Sequence, residues 1–200
     1  VKVETSPVAR GAVFPTEIKR VAPAVEDEFG FAETQLVAFE DLYAGKLHAA
    51  LDRQHPRDLF DIKLLYEHEG LTEGLFRAFL IAVASSGRPP HELLNPNLMP
   101  LERVFEAEFS GMTSRPISVS ELEQVRGRLI SDIQSRLTGH SARFLRGLAR
   151  GEPDFNALGL PSAAALPAVR WKIQNILKLG DTMPAKYAAQ AESLEELLRD

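Results

Sequence analysis

A lysine and an aspartate stand where the helical pattern calls for apolar side chains, and their types suit phosphate binding and proton transfer. Phe39 to Gln54 reads as one helix with Phe39, Leu42, Tyr43, Leu47 and Ala50 on one face. At about 100° per residue, Lys46 falls about 20° from Phe39 and about 40° from Ala50, within that stripe, while Asp41, His48 and Asp52 lie opposite. A charge turned inward costs several kcal/mol unless it is paired or meets a ligand. The following helix, Arg57 to Glu69, repeats the pattern with opposite sign: Asp61 lies between the directions of Leu64 and Leu65, with Arg57 one turn earlier. His55-Pro56 breaks the first helix, because the residue before proline is pushed out of helical geometry, and the corner turns Lys46 and Asp61 toward each other. Such a pair is either a salt bridge with a snorkelling lysine or the phosphate-binding and proton-accepting side of a transfer site. The pattern alone leaves both open. Asp58 sits in the first turn, where the helix dipole favours a carboxylate whatever its function.

Other chemistries find less support. Val1-Lys2-Val3-Glu4-Thr5 alternates with the period of a strand, which would bring Glu4 out on one sheet face; lone strand glutamates are usually solvated. The five histidines, at 48, 55, 68, 91 and 140, fit no zinc spacing. There is no P-loop, dinucleotide-binding glycine pattern or serine nucleophile elbow, and Gly147 to Gly151 is too weak a glycine pattern to credit. The absence of cysteine removes disulfides, thiolate metal sites and cysteine nucleophiles and suits a reducing cytoplasm. With 44% apolar and 26% charged residues in 200, the chain is long enough for a sizeable core and unlike a disordered segment. No apolar run approaches a membrane span, and no secretory leader opens the chain; beginning at Val1, it reads as a chain whose natural start lies upstream.

The elements that must position these residues are mostly helices. After the first strand, a loop rich in acids from Glu26 to Glu33 leads to an extended piece at Thr34 to Val37. Beyond the hairpin, Gly70 stops the second helix and Thr72 caps a third to about Ser85, closed by Gly87 to Pro90. Residues 91–100 read as a connection and Leu101 to Phe109 as a helix. Ser120 with Glu123 matches a capping box, opening a helix with Leu122, Val125, Leu129, Ile133 and Leu137 on one stripe and ending at Gly139. A short helix with Phe144, Leu145 and Leu148 follows Ser141; Pro161, Pro167 and Gly180 bracket the segment bearing Trp171, and a last helix starts at Pro184. The expectation is an α+β fold, predominantly α, whose short N-terminal β element comes from a truncated sheet, with domains at 1–87 and 88–200. The net charge of −5 is uneven. Residues 1–123 hold 12 basic against 20 acidic side chains, and residues 124–186 hold 10 against 4. The basic third offers phosphates a place, with Arg143, Arg146 and Arg150 on one helix, or is simply a solvated helical face.

The run from Phe39 to Ile62, with Lys46-Leu47, Ala49, Arg53, Arg57-Asp58 and Asp61, resembles the K-L-x-A…R-x-x-x-R-D-x-x-D signature of the AbiEii/AbiGii toxin family. Arg150 to Phe155 and Leu166 to Lys172 resemble that family's C-terminal helical part. These are nucleotidyltransferases of the polymerase-β-like type, toxins of bacterial toxin–antitoxin and abortive-infection systems. The resemblance implies transfer of a nucleoside monophosphate from an NTP to an acceptor hydroxyl, with tRNA as leading acceptor, Mg²⁺ as cofactor and an antitoxin protein or RNA as partner. By position, Lys46 is similar to the lysine that contacts the triphosphate and Asp61 to the last catalytic aspartate. Arg53, Arg57 and Asp58 support them, and Glu4 is similar to a third, metal-binding carboxylate. The family's first motif, a Gly-Ser turn followed by Asp-x-Asp, does not occur in these 200 residues, so the chain alone is expected to be inactive and its Mg²⁺ to be held mainly by residues outside it. The alternative is a non-catalytic remnant that acts as a partner- or RNA-binding helical module.

Overall fold

The computed structural model describes residues 11–198. The strand expected at Val1 to Thr5, and with it Glu4, lies outside them. Ten α-helices and one two-stranded antiparallel sheet are found among the described residues, in keeping with the expected class. The extended piece anticipated near Thr34 is β2 (Glu33–Leu36); its partner, β1 (Glu17–Arg20), has a sequence too polar to announce itself, and the pair is exposed along its whole length. The acidic loop between them contains α1 (Pro23–Phe29), with Pro23 in its first turn, where the missing N–H costs nothing.

The helical body begins with α2 (Phe39–Asp52), α3 (Pro56–His68) and α4 (Glu73–Ala84). Helix α4 is apolar nearly all round, and Leu75, Phe79, Leu80, Ile81 and Val83 are all buried in it, as expected of a helix at the centre of a core. It packs most extensively along α2, and Thr72 caps it by accepting the Leu75 N–H at 3.2 Å. This contact decides which face of α2 is inside. Ala44, Leu47, His48, Ala50 and Leu51 are buried, whereas Leu42 is exposed. The apolar stripe is therefore turned by about 90° from the expected one at 100° per residue, His48 moves from the solvent side to the interior, and Lys46 stands at the margin of the buried face rather than its middle. Asp41, also assigned to solvent, accepts the backbone N–H groups of Val13 and Phe14 at 2.8 and 2.9 Å and so ties the preceding segment to α2.

The later helices are α5 (Pro90–Leu94), α6 (Glu102–Glu108), α7 (Val119–Ser135), α8 (Gly139–Ala149), α9 (Pro167–Thr182) and α10 (Pro184–Glu195). Four boundaries differ from the sequence expectation. Part of the connection at 91–100 is helical, because Pro90 opens α5 and Leu93 and Leu94 reach the core. The capping box of α7 is Ser118 with Glu121, two residues before the expected pair. Both pairs have the right spacing, but only the earlier one puts apolar residues, Ile117 and Leu122, at the staple positions, and both of those side chains lie on the core. Gly139 opens α8 instead of ending α7, and Gly180 lies inside α9.

The buried apolar side chains form one connected cluster running from Ala44 to Leu198. The glycine pair at 147 and 151 has a structural use. A Cβ on Gly147 would stand 2.6 Å from the Glu152 carbonyl oxygen, and Gly151, at φ +78°, takes the left-handed turn that ends α8. No helix among the described residues is long and apolar enough to cross a membrane.

Lys172 of α9 is buried and donates to the Arg88 carbonyl. Burial lowers its pKa to about 8, with Glu92 opposing. The folded chain thus sheds this proton near pH 8 while the unfolded chain keeps it to about 10.5, so the unfolded state binds more protons in that window and stability rises with pH there. Between pH 7 and 9 the Lys172 contribution is expected to grow by about 1 kcal/mol. Urea titrations across that range in the wild type and Lys172→Met measure it; an equal slope in both would refute the assignment.

Candidate functional site

The corner between α2 and α3 is built from four consecutive residues. Arg53 closes α2. Gln54 takes φ +50°, the only non-glycine residue with positive φ among the described residues, and a left-handed residue here reverses the chain within one step. His55 is the N-cap of α3: its Nδ1 accepts the Arg57 N–H at 3.1 Å, and Pro56 fixes the first helical φ. Because Nδ1 accepts, the neutral ring carries its proton on Nε2, which lies 3.1 Å from Glu108 Oε2.

A left-handed glutamine is strained by about 1–2 kcal/mol, so something must hold it. Gln54 is buried, and its side chain is fully engaged: Nε2 donates to the Asn97 carbonyl at 2.8 Å, while Oε1 accepts from Met99 N at 3.1 Å and from Arg126 Nη1 at 3.0 Å. Arg126, buried on α7, also donates to the Met99 carbonyl at 2.6 Å and faces Glu123 at 3.5 Å. The loop after α5 and the helix α7 thus fix the corner from behind. Sequence reading missed Gln54 and Arg126, since neither a single glutamine nor an arginine on a helix carries a pattern. The one available signal was the His-Pro break, which locates the corner without saying what braces it.

The corner brings Lys46 and Asp61 together, with Nζ donating to Oδ2 at 2.5 Å and each side chain about one-third exposed. Arg53 grips Asp58 with two hydrogen bonds, Nε to Oδ2 at 2.6 Å and Nη2 to Oδ1 at 2.8 Å. That grip raises the Arg53 pKa further above its ordinary value, against the opposing effect of burial. Asp58 is the more buried of the two carboxylates, so its place in the first turn serves the arginine pair as well as the dipole. Arg57 is exposed and reaches Glu108 only at 3.8 Å.

These residues surround one open cavity of about 340 Å³, lined by Lys46, Arg53, His55, Arg57, Asp58 and Asp61. Three cations around a cavity suit a polyanion such as a triphosphate, Arg offering a planar fork and Lys a point charge. Each carboxylate is neutralised by a neighbouring cation, so an incoming anion that takes the lysine leaves Asp61 as a free base. No group of three or more His, Asp or Glu suitable for a metal ion is found among the described residues, and with Asp58 and Asp61 each engaged by a cation these side chains do not make a metal site.

The arginines assigned to RNA lie elsewhere, on α8. Arg143 pairs with Asp154 at 3.0 Å, Arg146 chelates Glu195 through Nε and Nη2 at 2.9 and 2.7 Å, and Arg150 is exposed at the helix end. None of the three lines the corner cavity.

Among known families, the model described as nucleotidyl transferase AbiEii toxin, type IV toxin–antitoxin system, matches residues 1–175. Comparison with curated proteins and with solved structures gives no match.

The brace predicts a specific order of stabilities. Gln54→Ala strands the Met99 N–H, the Asn97 carbonyl and part of Arg126, and is expected to cost about 3 kcal/mol. Gln54→Gly loses the same bonds but suits the positive φ, and is expected to be about 1 kcal/mol more stable than the alanine variant. Chemical denaturation of both variants tests this; equal stabilities would mean that the corner carries no strain.

Proposed function

We propose, from the premise that this chain belongs to the AbiEii family of nucleotidyl transferase toxins of type IV toxin–antitoxin systems, that the corner cavity is the triphosphate side of the transfer site. The supporting observation is that all five charged residues matching the family signature, Lys46, Arg53, Arg57, Asp58 and Asp61, line one cavity. Lys46 takes a phosphate oxygen of the NTP and in doing so releases Asp61. Asp61 accepts the proton of the acceptor hydroxyl as its oxygen attacks the α-phosphorus; the bond to the bridging oxygen breaks and pyrophosphate leaves. Arg57, exposed and weakly tied, neutralises charge on the leaving group, while Arg53 and Asp58 hold each other and stiffen the wall. Negative charge growing on the transferred group is stabilised by cations already in place, which is how such sites lower the barrier.

The Asp-x-Asp pair that would hold Mg²⁺ does not occur in these 200 residues, and Glu4, the further carboxylate implied by the family, does not complete a site alone. The chain taken by itself is therefore expected to bind NTP without transferring it. A second reading, a partner- or RNA-binding module that uses the hairpin for packing, is favoured by the ion pair that already satisfies Lys46 and Asp61.

Lys46→Met separates the two. The Lys46–Asp61 pair is about one-third exposed and worth at most about 1 kcal/mol, so the variant is expected to fold with nearly unchanged stability. NTP affinity is expected to fall about tenfold or more with the loss of a charge-assisted contact. Asp61→Asn is expected to keep NTP binding and to abolish transfer when the chain is supplied with its metal-binding motif. Unchanged NTP binding in Lys46→Met would leave the packing role standing.

For the acceptor we propose RNA, tRNA foremost, held by Arg143, Arg146 and Arg150. Arg143 stays largely exposed in its ion pair, and exposed pairs of this kind exchange for phosphates at little cost. Replacing all three by glutamine is expected to reduce the salt dependence of RNA binding by up to about three charge equivalents; an unchanged slope would place the RNA on another surface.

A further inference from the structure

A cavity of about 630 Å³ opens where α4 meets the end of α7 and the start of α8, and shares no residue with the corner. Its rim carries Arg77, Arg136 and His140, opposed by Glu73 alone, and beneath it lie Phe76, Leu80 and Leu158, whose side chains are almost wholly buried. The volume is that of a small-molecule site.

Arg77 carries the weight of the inference. It is half-buried, its Nη1 donates to the Leu158 carbonyl at 3.1 Å, and its buried Nε has no hydrogen-bond partner among the described residues. Lys46, Arg126 and Arg146 are sheltered to a similar or greater degree, and each faces a carboxylate. Arg77 faces none among the described residues. Lys172, the other sheltered cation without a close carboxylate, escapes the cost by a lowered pKa, a route closed to a guanidinium. A sheltered cation that can neither pair nor neutralise is stabilised by an anion from outside. Gly159, at φ +66°, keeps the loop close against this guanidinium, since a Cβ there would lie 3.1 Å from Nη1. Across the cavity Arg136 lies over the Phe76 ring at 5.7 Å and is 3.9 Å from Glu73, whose side chain is mostly exposed. That long pair is easily exchanged for a stronger one.

We propose that this cavity binds a small phosphomonoester. Arg77, Arg136 and His140 hold the phosphate at the rim, and the rest of the molecule occupies the open volume beside it. Guanidinium groups suit phosphate oxygens because their paired N–H donors match the geometry of the anion.

The test uses AMP and inorganic phosphate as probes on the full chain carrying Lys46→Met, which weakens the corner site. Calorimetric titration is expected to show saturable AMP binding with inorganic phosphate competing. Adding Arg136→Gln is expected to weaken AMP about tenfold or more, and Arg77→Gln to do the same. Arg136 is exposed enough that its variant leaves the fold intact, so a misfolded Arg77 variant does not spoil the test. Absence of saturable binding in the millimolar range, or binding unchanged by Arg136→Gln, overturns the proposal. AMP binding that appears in the wild type and vanishes with Lys46→Met also overturns it, and assigns the anion to the corner. The proposed NTP site stands or falls separately, on whether Lys46→Met weakens NTP.

Discussion

The left-handed turn at Gln54 is the constraint on which the site depends. A helix that ran on past Asp52 would carry Asp58 and Asp61 away from Arg53 and Lys46, and no local preference makes glutamine adopt positive φ. The turn persists because Gln54 is buried and each of its amide atoms has a partner in the loop around Asn97 or on Arg126. A pattern of that kind gives direction to the corner: it is braced on one side by α7 and the 97–99 loop, and open on the other, where the cavity lies. Arg126 links the two sides of the molecule, since its burial on α7 is tolerable only with Gln54, the Met99 carbonyl and Glu123 around its guanidinium.

The charges around the cavity follow from the same geometry. Lys46 and Arg53 meet Asp61 and Asp58 as two ion pairs, and Arg57 adds a third cation that reaches Glu108 only at 3.8 Å, so the cavity keeps a small positive excess. Its capacity to bind an anion lies in the exchange of partners. The lysine pair is single and about one-third exposed, hence easily broken, whereas the arginine pair is two-pronged and its carboxylate buried, hence kept. Under the proposed function this division gives the lysine to the ligand and the arginine to the framework, with the pocket formed before any ligand arrives.

The core beneath the site is organised by α4, which is apolar on nearly every side and takes α2 along one flank. Burying its large side chains at roughly 1.5–3 kcal/mol each outweighs what α2 would gain by hiding Leu42, and this sets the rotation of α2 that leaves Lys46 at the edge of the interior. The β1–β2 pair contributes nothing to that core. Its position outside explains why its sequence alternates so weakly, and why the polar strand Glu17–Arg20 left no trace in the hydrophobic pattern.

Composition and periodicity by themselves determined the helical class, the break at His55-Pro56, the cap at Thr72 and the stop at Gly70, because each depends on residues within one or two turns of the chain; they pointed Lys46 toward Asp61, but the contact itself is made only through the turn at Gln54, which distant residues hold. The signature around Lys46 and Asp61 likewise carried the family. Tertiary structure alone decided the rotation of α2, the interior place of His48, the choice of Ser118 over Ser120 as the cap of α7 and the use of Gln54 as a brace. In each of these the local sequence allowed two or more answers of nearly equal energy, and burial against a distant element, α4, the core beneath Ile117 and Leu122, or Arg126, chose between them. The grouping of Arg77, Arg136 and His140 around one cavity belongs with these, since residues 77 and 136 are brought together only by the packing of α4 against the helices that follow it.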